Sequence, residues 1–351
     1  MNIFSHLLKV LERYKQRKSF SLVVFFLLFI SLTFPSAVTA KETARDNNES
    51  IASSQLPANE ADSEQNSEPN LELTCPDPSS SLLWTIKGTK STVHLFGSIH
   101  IGAKGFYPLD KKIEKIFRKS DYLVFEVNPQ TIADPKNAIE IQTRSLLPNN
   151  ETIDKHVSAN TVSKVKKALT NFGLPADSFM VYKPWFITML LTNMQVMSMG
   201  YMPQYGVEQY LLREKAEATD VLELETFISQ LELMESLDGE AFLSYTLANL
   251  EKSKTTIREL IHAWQCGDKK SLEGIFSSEF DIDGSLGKQF DTLEKKLLFD
   301  RNIIMTNGIE KFLREGTGIY FVVVGAAHYV GKNSVVQMLE KKGFNVNNIK
   351  L

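Results

Sequence analysis

The chain has 351 residues, 43% hydrophobic and 23% charged, an ordinary globular composition with length for one large core or two modest ones. A formal net charge of −3, with no basic run beyond the N-terminus, excludes a general attraction to nucleic acid.

The first 40 residues read as a targeting segment. Lys9, Arg13, Lys15, Arg17 and Lys18 precede a 14-residue apolar run, Ser21 to Phe34, and Val38-Thr39-Ala40 supplies small residues at cleavage spacing. A hydrocarbon core takes about 20 residues to cross, so a signal peptide of residues 1–40, cleaved after Ala40, is the expectation. It sends the protein to the periplasm or the exterior. The alternative is an uncleaved N-terminal anchor, which would then be the sole contact with a membrane. Residues 41–80, rich in Glu, Asp, Asn, Ser and Pro, read as a disordered acidic linker. Cys75 and Cys266 are the only cysteines. In an exported chain they either form one disulfide or stay separate thiols.

The folded domain, residues 81–351, opens with strand-like runs Leu82–Lys87 and Thr92–Gly97 around a hairpin signal at Gly88-Thr89-Lys90. An amphipathic helix over Leu109–Ser120 and a buried strand over Asp121–Val127 complete a βαβ unit. Helical periodicity marks Ala133–Leu147, Ala159–Phe172 and Trp185–Met199, with Pro148, Gly173 and Gly200 as stops. The last of these is apolar nearly all round, as a buried core helix is. A helix follows from Tyr205 to Glu217, then a strand from Thr219 to Leu224. Four further helices are expected over Ile228–Glu235, Glu240–Ala263, Lys269–Phe276 and Leu286–Phe312, the last broken near Asp300. Gly318–Gly325 is the most apolar strand, followed by a helix over Gly331–Lys342 and a short strand over Phe344–Val346. The expected fold is therefore α/β: a mixed, largely parallel central sheet flanked by helices, with a helical insertion in the middle.

Two stretches, VHLFGSIHIG and FVVVGAAHYVG, each run a strand into Gly-x-x-His: Gly97 to His100 and Gly325 to His328. Ligands of open α/β sheets bind beyond the carboxyl ends of strands, where both histidines fall. Glu126 ends the neighbouring predicted strand. Two imidazoles and a carboxylate make a plausible divalent-metal shell; equally, each histidine caps its strand and Glu126 pairs with Arg301 or a lysine. His94, at even spacing from His100, reads as structural or supporting, and His156 and His262 as surface or packing residues. No His-Glu-x-x-His, Gly-x-Ser-x-Gly, P-loop or dinucleotide fingerprint occurs.

In order, LLWTIKGTKSTVHLFGSIHIG, DYLVFEVN, YGVEQYL, VLELETFISQLELM, DRNIIM and YFVVVGAAHYVG resemble the TraB/GumN family, to which the TIKI-type metalloproteases and the ChaN and erythromycin-esterase-like folds are similar. AWQCGDKKSLEGI, with Trp264, also fits. The resemblance implies His100, His328 and Glu126 as metal ligands, Glu126 alternatively as the base acting on a metal-bound water. It places catalytic or supporting roles on Arg301, Glu208 and Glu225, with Gly97, Gly325, Tyr205, Gln230 and Asn302 around them. Glu208 stands where the family has Asp. The expected function is an exported hydrolase, peptidase-like, dependent on Mn, Co or Zn and acting on a peptide or small molecule. Its rival is a non-catalytic domain that sequesters a peptide or pheromone-like ligand in the same cleft. A weaker third reading is hydrolysis of a non-peptide ester or a haem-like ligand.

Overall fold

The computed structural model describes residues 74–237, 239–280 and 291–351. The expected signal peptide, and the linker up to residue 73, lie outside the described residues. From Cys75 onward the described chain belongs to one unit.

Strands β1 (Leu83–Lys87) and β2 (Lys90–Ser98) form the expected hairpin, with Thr85 opposite His94. Helix α1 (Lys111–Phe117), capped by the Asp110 carboxylate, leads to β3 (Tyr122–Phe125). The helix expected over 133–147 is α3 (Pro135–Ser145), and a short helix the periodicity did not mark, α2 (Pro129–Ala133), precedes it. Pro135 holds Asp134 extended, and the Asp134 carboxylate then caps the second helix. Helices α4 (Ala159–Asn171), α5 (Pro184–Met197) and α6 (Val207–Glu214) follow, then β4 (Asp220–Glu223). Helix α5 is buried on nearly every face, as its all-round apolarity predicts. No helix among the described residues is long and apolar enough to cross a membrane.

Helix α7 (Phe227–Glu235) is capped by Thr226. The long helix expected over 240–263 is broken into α8 (Gly239–Asn249) and α9 (Ser253–Gln265), where the Ser253 hydroxyl turns back onto the Leu250 carbonyl. Helix α10 (Lys269–Phe280) precedes a wide turn at Lys295–Phe299, which runs into α11 (Asp300–Glu315) at the break expected near Asp300. Strand β5 (Thr317–Gly325), a single turn at Ala326–His328, helix α12 (Val335–Lys341) and the two-residue β6 (Asn347–Asn348) close the chain.

The six strands lie in the order β4-β3-β5-β2-β1-β6. The four on one side, β4, β3, β5 and β2, are mutually parallel; β1 is antiparallel to β2 and to β6. The fold is thus the α/β arrangement expected. Strand β5 sits between β3 and β2, so its run of Phe321 to Val324 is fully buried on both faces. A disulfide joins Cys75 to Cys266, and the chain after it is held to the domain: the Ser80 hydroxyl donates to the Gly267 carbonyl, and Leu351 N–H to Ser79 O.

Candidate functional site

The register of β2 against β5 places Ser98 opposite Gly325. Both Gly-x-x-His segments therefore leave the sheet side by side, at the carboxyl edge of the parallel strands. Glu126 leaves the same edge one residue after β3, on the other flank of β5. At Gly97 any side chain would crowd Leu82 Cβ at 3.0 Å and Ala326 Cα at 3.3 Å, so glycine lets the two strand ends approach. The Gly97 carbonyl accepts a hydrogen bond from the buried Trp264 indole at 2.9 Å, which pins the end of β2 to α9.

One corner of the site is built around Arg301, the second residue of α11. Its Nε donates to Glu225 Oε1 and Oε2 at 3.0 and 2.9 Å, and its Nη2 to Glu225 Oε2 at 2.7 Å and Glu126 Oε2 at 2.5 Å. Its Nη1 lies 3.2 Å from His328 Nε2 and 3.4 Å from the Leu297 carbonyl. Glu126 Oε1 accepts from the Gly325 backbone N–H at 2.6 Å, and Gln230 Nε2 donates to Glu225 Oε2 at 3.2 Å. His328 Nδ1 lies 2.6 Å from Asn302 Oδ1, whose own amide nitrogen donates to Asn333 O. Because Asn302 Oδ1 only accepts, His328 carries its proton on Nδ1 and turns a lone pair toward Arg301. Burial and the adjacent guanidinium hold His328 well below its usual pKa, consistent with this neutral form. Burial opposes the charge on Arg301, but Glu225 and Glu126 outweigh it and raise its pKa.

The other corner is built around His100. Its Nδ1 lies 2.9 Å from Glu208 Oε1, and the Ser98 hydroxyl donates to the same oxygen. The contact falls outside ideal hydrogen-bond geometry and becomes an ion pair when the imidazole is protonated. His100 Nε2 is buried and has no hydrogen-bond partner among the described residues. Burial disfavours charge on His100, but the Glu208 carboxylate overcomes it and raises the pKa; burial likewise opposes the Glu208 charge, and His100 lowers that pKa in return. Helix α6 delivers Glu208 because Gly206 packs on the His100 carbonyl, where a Cβ would fall 2.4 Å from that oxygen. The Val207 N–H then bonds the Ile99 carbonyl at 3.0 Å.

The structure therefore gathers His100, Glu208, His328, Asn302, Arg301, Glu126, Glu225 and Gln230 at one edge of the sheet. Tyr205 contributes through its backbone, its carbonyl accepting from the Tyr107 hydroxyl at 2.7 Å. His94 is a different matter: it pairs with Thr85 Oγ1 at 2.7 Å in the middle of the hairpin and supports the sheet. Ser98 and the bond from Trp264 to Gly97 went unassigned from sequence, although Ser98 lies inside the Gly-x-x-His motif itself.

The side chains assigned as metal ligands cluster without forming a ligand set. Glu126 spends its oxygens on Arg301 and the Gly325 N–H, and the His328 lone pair faces the same guanidinium. Among the described residues no three of His, Cys, Asp or Glu are grouped to hold a metal ion. As arranged, these residues do not fit one.

An α/β sheet whose parallel strands end in a buried cluster of two histidines, three carboxylates and an arginine defines a protein with a polar centre at the strand ends. The chain belongs to the TraB/PrgY/gumN family, which it matches over residues 82–348. It is 24% identical over 249 residues to the uncharacterized protein YbaP of Escherichia coli (strain K12), covering 70% of this chain and 87% of that one. It is also 24% identical over 319 residues to the metalloprotease TIKI2 of Danio rerio, covering 76% of this chain and 60% of the relative. The uncharacterized protein of Treponema pallidum (strain Nichols) is 21% identical over 280 residues, 74% of this chain and 80% of its own length. No solved structure matches.

Proposed function

We propose that the chain is an exported peptidase-like hydrolase whose proton-transferring group is His100. The observation that carries this reading is the buried His100 ring, with Nδ1 against Glu208 and Nε2 unpartnered among the described residues. A histidine steadied by a carboxylate at one nitrogen can move a proton at the other. Water adds to the substrate carbonyl carbon and gives a proton to Nε2. Nε2 returns a proton to the departing nitrogen as the C–N bond breaks. Glu208 stabilises the imidazolium between the two transfers, and Ser98 holds Glu208. The similarity to proteins named metalloproteases supports a peptide as substrate. The Cys75–Cys266 disulfide supports export, since such bonds persist in oxidising compartments. A divalent ion, manganese, cobalt or zinc, comes with the resemblance, and no step above runs through one.

The test is to incubate the purified chain with a peptide library, with chelator and with each added ion, and to identify products by mass. Cleavage that disappears in His100→Ala is the expected result. Peptide that binds stoichiometrically and is recovered uncut under every condition would replace hydrolysis by sequestration.

A further inference from the structure

We propose that Arg301 is the resident cation of this centre: its guanidinium, held by Glu126, Glu225 and the His328 lone pair, fills the place a divalent ion would take. The inference starts from the disagreement between the metal expectation and the arrangement of the side chains. It stands on the geometry around Arg301 and holds whether or not the chain cuts peptides.

Three observations carry it. All three guanidinium nitrogens are engaged, and among their partners are two buried carboxylates and an imidazole acceptor. That is the donor chemistry a divalent cation selects, spread to the wider span of a planar fork. Second, the partners are themselves fixed as ligands usually are. Asn302 sets the tautomer of His328, the Gly325 N–H holds Glu126, and Gln230 holds Glu225. Third, the charges need a cation there. Glu126 and Glu225 are each under a tenth exposed, and both pair with the one guanidinium of Arg301. A dication entering this corner must first displace Arg301 from Glu126 and His328.

The experiment measures binding of Mn²⁺, Co²⁺ and Zn²⁺ at equilibrium to the wild-type chain, to His328→Ala, and to Arg301→Ala and Arg301→Gln. Thermal melts follow in chelator, in each ion and in guanidinium chloride at low millimolar concentration. The wild type is expected to melt at the same temperature with and without chelator. Any ion it binds should bind equally to His328→Ala, which places that ion elsewhere. Both Arg301 variants should take up a dication at least tenfold more tightly than the wild type, and low guanidinium should raise their melting temperature while leaving the wild type unmoved. One dication per wild-type chain, lost in His328→Ala, overturns the proposal. So do folded Arg301 variants that gain neither a dication nor a response to guanidinium. If neither variant folds, the wild-type and His328→Ala arms decide alone.

Discussion

His100 and His328 occupy the same slot on neighbouring parallel strands, three residues beyond a strand-end glycine, and they end in opposite states. His328 is completely buried, with both ring nitrogens engaged by α11, through Asn302 and Arg301. It is held neutral. His100 meets a carboxylate from α6 at one nitrogen and no hydrogen-bond partner among the described residues at the other, and its pKa is raised. The repeated motif thus fixes where an imidazole goes, and the helix that arrives over it decides what the imidazole does. A guanidinium arriving makes a rigid corner; a carboxylate arriving leaves a histidine that can gain and lose a proton.

The difference can be broken from either side. The largest effect belongs to Arg301→Ala, which strands two buried carboxylates; urea unfolding should show a loss of about 3–5 kcal/mol. A loss near zero would mean that Glu126 and Glu225 are not held by this residue. Asn302→Ala removes the acceptor of a buried Nδ1–H and should cost about 1–3 kcal/mol by the same measurement. It should also free the His328 tautomer, visible as a change in its nitrogen chemical shifts.

On the other side, Glu208→Gln should lower the pKa of His100, read from the pH dependence of its ring proton resonances. The sign for stability follows from both partners. His100 is raised, so its contribution is complete below the unfolded value of about 6.5 and is lost as pH rises through the folded value. Glu208 is lowered, so its contribution is complete above its unfolded value of about 4.3 and is lost as pH falls through the folded one. The wild type should therefore exceed Glu208→Gln in stability most between these two unfolded values, in mildly acidic buffer. A gap that is flat with pH would show that the two groups do not form an ion pair. The smallest effect is expected of Ser98→Ala, about 1 kcal/mol for one lost hydrogen bond to Glu208.

Strand patterning made the sheet legible, since β2, β3 and β5 are short apolar runs ending at glycine, glutamate and glycine. The two histidines were legible as partners for the same reason. What spacing alone left open was the asymmetry between them. Asn302 and Arg301 are adjacent in sequence yet reach His328 from a helix that precedes its strand, and Glu208 reaches His100 from across the helical insertion. Such contacts depend on how helices dock, which periodicity does not encode. The pairing of Arg301 with Glu126 or with Glu225 was one of the alternatives the charges allowed, and the geometry shows both, with Glu225 the bidentate partner. Helix boundaries missed where a local cap or proline overrode periodicity, at Asp134-Pro135 and at Leu250 to Ser253.

The place of β5 in the sheet also bears on how the protein comes into being at the ribosome. It lies between β3 and β2, although it is made after both and after most of the helices. Until residues 317–325 emerge, β2 and β3 have no strand joining them, and His100, Glu126 and Arg301 wait without His328. Long-range parallel pairing of this kind forms slowly and late. A nascent chain that has not yet made β5 thus lacks His328 and the backbone N–H of Gly325 that holds Glu126, and the centre is complete only once this strand is in place.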